Sequence, residues 1–293
     1  MKIVAFGEIL FDVVNGEHKL GGAPFNFCAH SAKLGAKSAI LSAVGNDEWG
    51  KVALDSARSF GVDIGLVKHT EYPTGMCIAT VKDGEPSYDL DGDYAYDHIA
   101  LSESELNSLD GDVFYFGTLA ERSDESRGTL YRILDSCEFK TVFYDMNLRK
   151  SYYTRAMLEK NFFASDIVKV NRDELEYIKN ENFVCGGGPE FFKAFCLKYR
   201  IGYLLVTLDS DGAMIYSLEA DKVYRFAAEK QKVVSAIGAG DSFSACFLYN
   251  FMSGADIMKC LERACALGGY VVGFEGAIPE YDPKLKSRIL PID

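Results

Sequence analysis

The sequence predicts an α/β fold, with a mainly parallel central sheet sandwiched by helices and a small β-sheet lid. Three observations predict it. Short apolar runs such as Ile3-Val4-Ala5-Phe6, Val113-Phe114-Tyr115-Phe116 and Leu204-Leu205-Val206 read as buried strands. Helical patterns alternate with them, and that alternation implies crossover connections and parallel pairing. Between Pro73 and Asp97 the alternation lapses: two strand-like runs flank Lys82-Asp83-Gly84-Glu85-Pro86, where Asp-Gly is a hairpin signal. A chain of 293 residues can bury a sizeable core, and we read it as one domain over 1–293 with the lid inserted.

The first strand ends at Gly7-Glu8 and continues through Ile9 to Val14 in extended form. Asp12 is either a solvent-facing strand residue or a ligand group, since the carboxyl ends of strands face the ligand crevice in open α/β sheets. Gly21-Gly22-Ala23-Pro24 opens a helix to Leu34, with proline in its first turn and glycines allowing close approach before it. Asn26 offers both a donor and an acceptor there, to a hydroxyl-rich ligand or simply to the helix start. Residues 38–44 form the next strand, and Asp47 caps a helix through Phe60. The lid is assigned to about 11–20 and 73–97, with Tyr88, Tyr94 and Tyr96 spaced for a strand-like surface. A flap of this kind closes over a site or pairs with a second subunit.

Strand and helix then alternate again: strand 113–117, helix 123–137, strand 141–145, strand 167–170 and a helix from Asn171. Arg149 falls at a carboxyl edge, where its fork would neutralise phosphate oxygens or form a surface ion pair. Asn171 and Glu174 fit a capping box, and equally a pair facing hydrated Mg²⁺ and phosphates. After strand 203–207 comes a short hairpin to Phe226. Gly238-Ala239-Gly240-Asp241 then precedes a helix to Gly254. Glycines at a helix start leave unpaired N–H groups open to an anion, and Asp241 is either a cap or a base beside it. At an ordinary pKa of about 3.9 such an Asp is ionised at neutral pH. The last helix is read as Asp256–Val272, with Gly268-Gly269 packing either a flat base or another helix.

The net charge of −12 argues against nucleic-acid or anionic-membrane partners, and no apolar run is long enough to span a bilayer. The first residues read as a strand, not a signal peptide. Eight cysteines without a Cys-x-x-Cys pair read as buried reduced thiols of a cytoplasmic protein.

Together, Gly7-Glu8-Ile9-Leu10-Phe11-Asp12, Gly21-Gly22-Ala23-Pro24-Phe25-Asn26, Val44-Gly45-Asn46-Asp47, Asp145-Met146-Asn147-Leu148-Arg149, Asn171-Arg172-Asp173-Glu174 and Gly238-Ala239-Gly240-Asp241 occur in an order that resembles the ribokinase-like carbohydrate kinases of the PfkB family, bacterial fructokinases most closely. The resemblance covers essentially the whole chain. It implies a ribokinase-like three-layer sandwich and ATP-dependent phosphorylation of a sugar hydroxymethyl group, with fructose as the expected sugar. Ribose, 2-keto-3-deoxygluconate or a nucleoside are alternatives, and a sugar-binding regulator without turnover is a further one. It implies Asp241 as base, the N–H groups of Gly238, Ala239 and Gly240 as oxyanion cradle, and Arg149 as charge neutraliser. Asp12, Gly21, Gly22 and Asn26 would bind sugar; Asn171, Thr207, Gly212 and Gly240 would bind nucleotide; Glu174 would hold Mg²⁺ through water. From the flap, a homodimer through the lid is also expected. Two departures stand out. Ser235-Ala236 replaces an Asp-Thr that commonly helps hold a monovalent cation, and Asp209 stands where glycine is usual beside the phosphates.

Overall fold

The computed structural model describes residues 1–290 except 15, 83–84 and 187. Thirteen strands appear among them: β1 (Lys2–Phe6), β2 (Leu10–Val14), β3 (Glu17–Gly21), β4 (Lys37–Gly45), β5 (Val67–Thr70), β6 (Gly75–Lys82), β7 (Glu85–Asp89), β8 (Val113–Gly117), β9 (Thr141–Asp145), β10 (Ile167–Val170), β11 (Tyr203–Thr207), β12 (Ala213–Ser217) and β13 (Lys222–Phe226). The helices are α1 (Ala23–Lys33), α2 (Glu48–Ser59), α3 (Glu103–Ser108), α4 (Asp124–Ser136), α5 (Arg155–Phe163), α6 (Arg172–Asn180), α7 (Pro189–Tyr199), α8 (Ala239–Met252), α9 (Ile257–Val271) and α10 (Pro283–Ile289).

The central sheet has nine strands in the order β13-β12-β11-β10-β9-β8-β1-β4-β5. Seven of them run parallel, and β12 and β13 are antiparallel additions at one edge. Successive side chains on a strand point to opposite faces, so each strand feeds two cores. Ile3, Ala5, Val113, Tyr115, Phe143 and Leu205 pack with α1, α8 and α9 on one side. Val4, Phe6, Phe114, Phe116, Tyr144 and Leu204 pack with α4, α5 and α7 on the other. Each fully buried Phe or Leu contributes about 1.5–3 kcal/mol. That double burial makes the strands read as unbroken apolar runs, and it gives the expected three-layer sandwich.

The second sheet, β3-β2-β6-β7, is the lid. It is mixed, since β2 pairs parallel with β6 while β3 and β7 are antiparallel neighbours. The Asp83-Gly84 turn lies outside the described residues, but Lys82 and Glu85 are ladder partners beside it. The expected lid segment 73–97 is too long: its strands end at Asp89, and Ala95–His98 form a buried 3₁₀ turn. Tyr96 is fully buried, not on a strand surface, because its ring fills the space left by the missing side chain of Gly75. Arg122 holds this return segment down, donating to Leu90 O and Gly92 O at 2.6 Å each and pairing with Asp97.

The reading of Asp256–Val272 as the final helix is also corrected. Asp282 caps α10, with Pro283 in its first turn. The helices α3 and α5 and the edge strand β5 were not expected. Gly268 in α9 lies against α8, where an added Cβ would meet Ala239 O at 3.3 Å, so helix packing explains that glycine.

Candidate active site

The site assembles at the carboxyl edge of the central sheet, where β1, β9 and β10 end and the N-termini of α1, α6 and α8 begin. Gly238 caps α8 in a left-handed conformation (φ 79°). A Cβ there would stand 2.6 Å from Ala277, so glycine is required twice, by backbone angle and by space. The segment that crowds it is fixed by buried His30 of α1, whose Nε2 lies 2.9 Å from Ala277 O and whose Nδ1 meets Tyr281. Ala239 N–H turns back to Ala236 O at 3.3 Å, and Ser242 N–H bonds Gly238 O at 2.9 Å. Among the described residues the N–H groups of Gly240 and Asp241 have no protein partner. Of the expected cradle, Ala239 N–H is engaged, while Gly238, Gly240 and Asp241 N–H are open to an anion among the described residues.

Asp241 itself is half-buried. Its Oδ2 accepts from Asn26 Nδ2 at 2.8 Å, which joins two sequence motifs 215 residues apart. Asn26 Oδ1 is buried with no partner, which leaves an acceptor for a ligand hydroxyl. The ordinary pKa expected for Asp241 is corrected. Burial pushes it up to about 6, with Asp145 adding to the rise and Asn26, Lys169 and Arg149 opposing it.

Around Asn26 the first-strand motif closes in. Gly22 (φ 104°) leaves no room for a Cβ, which would lie 2.4 Å from Glu8 O. Glu8 Oε1 accepts Ala23 N–H at 3.1 Å, and burial raises its pKa to about 7. Asp12 lies on β2, and its Oδ2 would be 2.7 Å from a Cβ on Gly21. Burial raises the Asp12 pKa as well, while Cys77 and Arg149 oppose the rise. Arg149 is exposed beyond β9 and makes no ion pair among the described residues. Its charge bears on Glu8, Asp12 and Asp241 together, so the surface-pair alternative does not describe it.

Asn171 and Glu174 do form the capping box: Asn171 Oδ1 accepts Glu174 N–H at 2.9 Å, and Glu174 Oε2 accepts Asn171 N–H at 2.8 Å. Glu174 Oε1 also accepts Leu148 N–H at 2.7 Å. Only 5 % exposed, it staples the Arg149 loop to α6. Burial raises its pKa, against the pull of Lys169. Thr207 is half-buried at the end of β11. Gly212 (φ 94°) is needed by the hairpin, since a Cβ would meet Phe226 O at 2.0 Å. No hydrogen bond among the described residues ties Thr207 or Gly212 to the cradle. Arg172 connects α6 to that turn through Leu208 O (3.1 Å) and Asp211 (2.8 Å). Asp209 is exposed and lies 3.7 Å from Arg172, which partly offsets its charge. The Ser235 hydroxyl accepts Ile237 N–H at 3.3 Å and brings no charge.

Glu8, Asp145 and Lys169 were not singled out from sequence. The signal was there: a carboxylate or ammonium at the carboxyl end of an apolar strand must be paired or functional. Among the described residues, no three His, Cys, Asp or Glu side chains cluster closely enough to cage a metal.

The model of the pfkB family of carbohydrate kinases matches residues 2–284. The ATP-dependent 6-phosphofructokinase of Thermoanaerobacterium thermosaccharolyticum is 28% identical, over 94% of this chain and 89% of its own. Fructokinase-1 of Oryza sativa is 27% identical over 94% and 93%. The 5-dehydro-2-deoxygluconokinase of Bacillus licheniformis is 26% identical over 86% and 80%. A fructokinase of Vibrio cholerae, solved with fructose, ADP and calcium, superposes with a TM-score of 0.83 at 20% identity, over 99% of both chains. A sugar kinase of Pyrococcus horikoshii in complex with ATP gives 0.80 at 23% identity, over 94% of each.

Proposed function

The chain belongs to the pfkB family of carbohydrate kinases, and from that premise we propose that it transfers the γ-phosphoryl group of ATP to a hydroxymethyl group of fructose. The observation that carries the reading is the bond between Asn26 and Asp241 at the open N-terminus of α8. One residue of the pair faces a hydroxyl-rich ligand through its unpartnered oxygen. The other holds a carboxylate beside an anion cradle.

The sugar lies against Asp12, Gly21, Gly22 and Asn26, with a terminal hydroxyl toward Asp241. The carboxylate takes the hydroxyl proton as the new oxygen–phosphorus bond forms and the bond to the β-phosphate oxygen breaks, releasing ADP. Charge on the transferring phosphoryl oxygens is met by the Gly238, Gly240 and Asp241 N–H groups, the α8 dipole and the Arg149 guanidinium. Asn171 lies on the nucleotide side, and Thr207 and Gly212 line it further along the sheet edge. Glu174 offers hard oxygens and would hold Mg²⁺ through water. Such an ion supplies charge neutralisation.

Fructose is the acceptor favoured by the fructokinase names among the relatives; other relatives carry the names 5-dehydro-2-deoxygluconokinase and 6-phosphofructokinase. ADP release with Mg-ATP across fructose, fructose 6-phosphate, ribose and 2-keto-3-deoxy sugar acids tests this. Fastest turnover on fructose bears it out. A different preferred sugar moves the substrate and keeps the chemistry, and binding without turnover on any sugar makes the protein a regulator. Pairing of two lids in a homodimer is part of the proposal, with Ile78 exposed on β6. Sedimentation at micromolar concentration tests it. No helix among the described residues is long and apolar enough to cross a membrane. A cytoplasmic location remains part of the proposal.

A further inference from the structure

Directly beneath the cradle lies an ion pair that the proposed chemistry does not use. Lys169 on β10 and Asp145 on β9 are register partners in adjacent parallel strands. Lys169 Nζ is 2.9 Å from both carboxylate oxygens, with 8% and 1% of the two side chains exposed. Asp145 Oδ2 also lies 3.0 Å from the Ser244 hydroxyl on α8 and 3.2 Å from Tyr115 OH on β8. Ser244 Oγ is also 2.9 Å from Gly240 O, so α8's first turn hangs on the same network. The ammonium itself sits under that turn: a Cβ on Gly240 would be 3.3 Å from Lys169 Nζ.

A buried ion pair is weak evidence of stability, because desolvating two charges offsets most of their attraction. Its position is more informative. The pair is oriented, with the positive end under Gly240 and the negative end held by Tyr115 and Ser244. In a dry site a fixed dipole acts at short range on neighbouring charges. The charged and titratable groups facing Asp241 are Glu8 beyond β1, Tyr115 on β8, Asp145 and Arg149 at the end of β9, and Lys169 on β10; Asn26 on α1 adds its hydrogen bond.

We propose that Lys169 and Asp145 are positioning residues for the phosphoryl transfer: the oriented pair beneath Gly240 fixes the cradle turn and sets the proton affinity of Asp241 without touching either substrate. The inference rests on Asp241 being the base of a sugar kinase. The two partners carry opposite charge and act on Asp241 in opposite directions, so removing one must move it in the opposite sense to removing the other.

The test is the pH profile of kcat/KM in Asp145→Asn, Lys169→Met, Lys169→Arg and the Asp145→Asn/Lys169→Met double variant, each checked for folding by circular dichroism. The acid limb moves to lower pH in Asp145→Asn and to higher pH in Lys169→Met, each by about half a unit or more. It returns toward the wild-type position in the double variant and in Lys169→Arg. Sugar KM changes by less than about threefold in the double variant while kcat falls at least about tenfold, since the pair acts on the transition state. If Lys169→Met does not fold, Asp145→Asn and the isosteric double variant still decide. Loss of rate in all variants with no displacement of the acid limb, or displacement in one direction only, overturns the proposal and leaves a merely structural pair. The Asp241 carboxyl is also titrated by ¹³C NMR in wild type and variants. That readout needs no turnover, so absence of kinase activity fails the functional reading separately from this one.

Discussion

Asn26 Nδ2 donates to Asp241 Oδ2 at 2.8 Å, and this bond ties the N-terminus of α1 to the N-terminus of α8. It is also the largest of the effects opposing the rise in the Asp241 pKa, ahead of Lys169 and Arg149. Asn26→Ala therefore raises the acid limb of kcat/KM and weakens sugar binding together. A rise in sugar KM with an unmoved acid limb would separate the two roles.

With its pKa near 6, Asp241 is half protonated at that pH. A base must be unprotonated to act, so wild-type kcat/KM declines as pH falls through about 6 and drops tenfold for each unit below it. An acid limb near pH 4 would mean that Asp241 keeps the proton affinity of an exposed carboxylate.

The same shift has a stability consequence of definite sign. The folded state holds its proton more tightly than the unfolded chain, so ionised Asp241 lowers stability, progressively from about pH 4 to above 6. Asp241→Asn removes that cost and still offers an oxygen to Asn26. Its Tm at pH 7 is higher than wild type, and the difference shrinks at pH 4. An inactive variant that is more stable than its parent marks a group retained for function.

Gly238→Ala strains a φ of 79° and drives a methyl group to within 2.6 Å of Ala277. We expect a loss of about 1–3 kcal/mol in stability by chemical denaturation. Phosphate binding falls with it, because the turn that opens Gly240 and Asp241 N–H must move. Gly269→Ala serves as control, its nearest neighbour being the flexible side chain of Gln231.

Glu174→Ala leaves the Leu148 and Asn171 N–H groups without their acceptor, at a cost of about 1–3 kcal/mol. It also frees the Arg149 loop. Calorimetric stability falls, and the Mg²⁺ concentration for half-maximal turnover rises. A fall in stability with unchanged Mg²⁺ dependence assigns Glu174 to the staple alone.

The fold was legible in the sequence because both faces of the central strands are buried. Ile3 and Val4, or Tyr115 and Phe116, feed opposite cores, and uninterrupted apolar runs result. The return segment after the lid misled for a specific reason: Tyr94-Ala95-Tyr96 has strand-like alternation, yet Arg122 and the gap above Gly75 draw Tyr96 into the core. The short helices α3 and α10 lack the length for a periodic signal and declare themselves by their caps, Ser102 and Asp282. Within the site, the glycines and Asp241 were readable because their types are rare in regular elements. Lys169 and Asp145 were not, since pairing across adjacent strands is set by register, which only the folded sheet reveals.

Comparing Asp241→Asn with wild type, in turnover of the preferred sugar and in sugar affinity by calorimetry, tests the central claim most directly. The expected result is a kcat lowered by about a thousandfold or more with sugar affinity held within a few fold, as for a group that acts in the transition state. Turnover of Asp241→Asn within about tenfold of wild type would contradict Asp241 as the base, since general-base catalysis contributes a hundredfold or more.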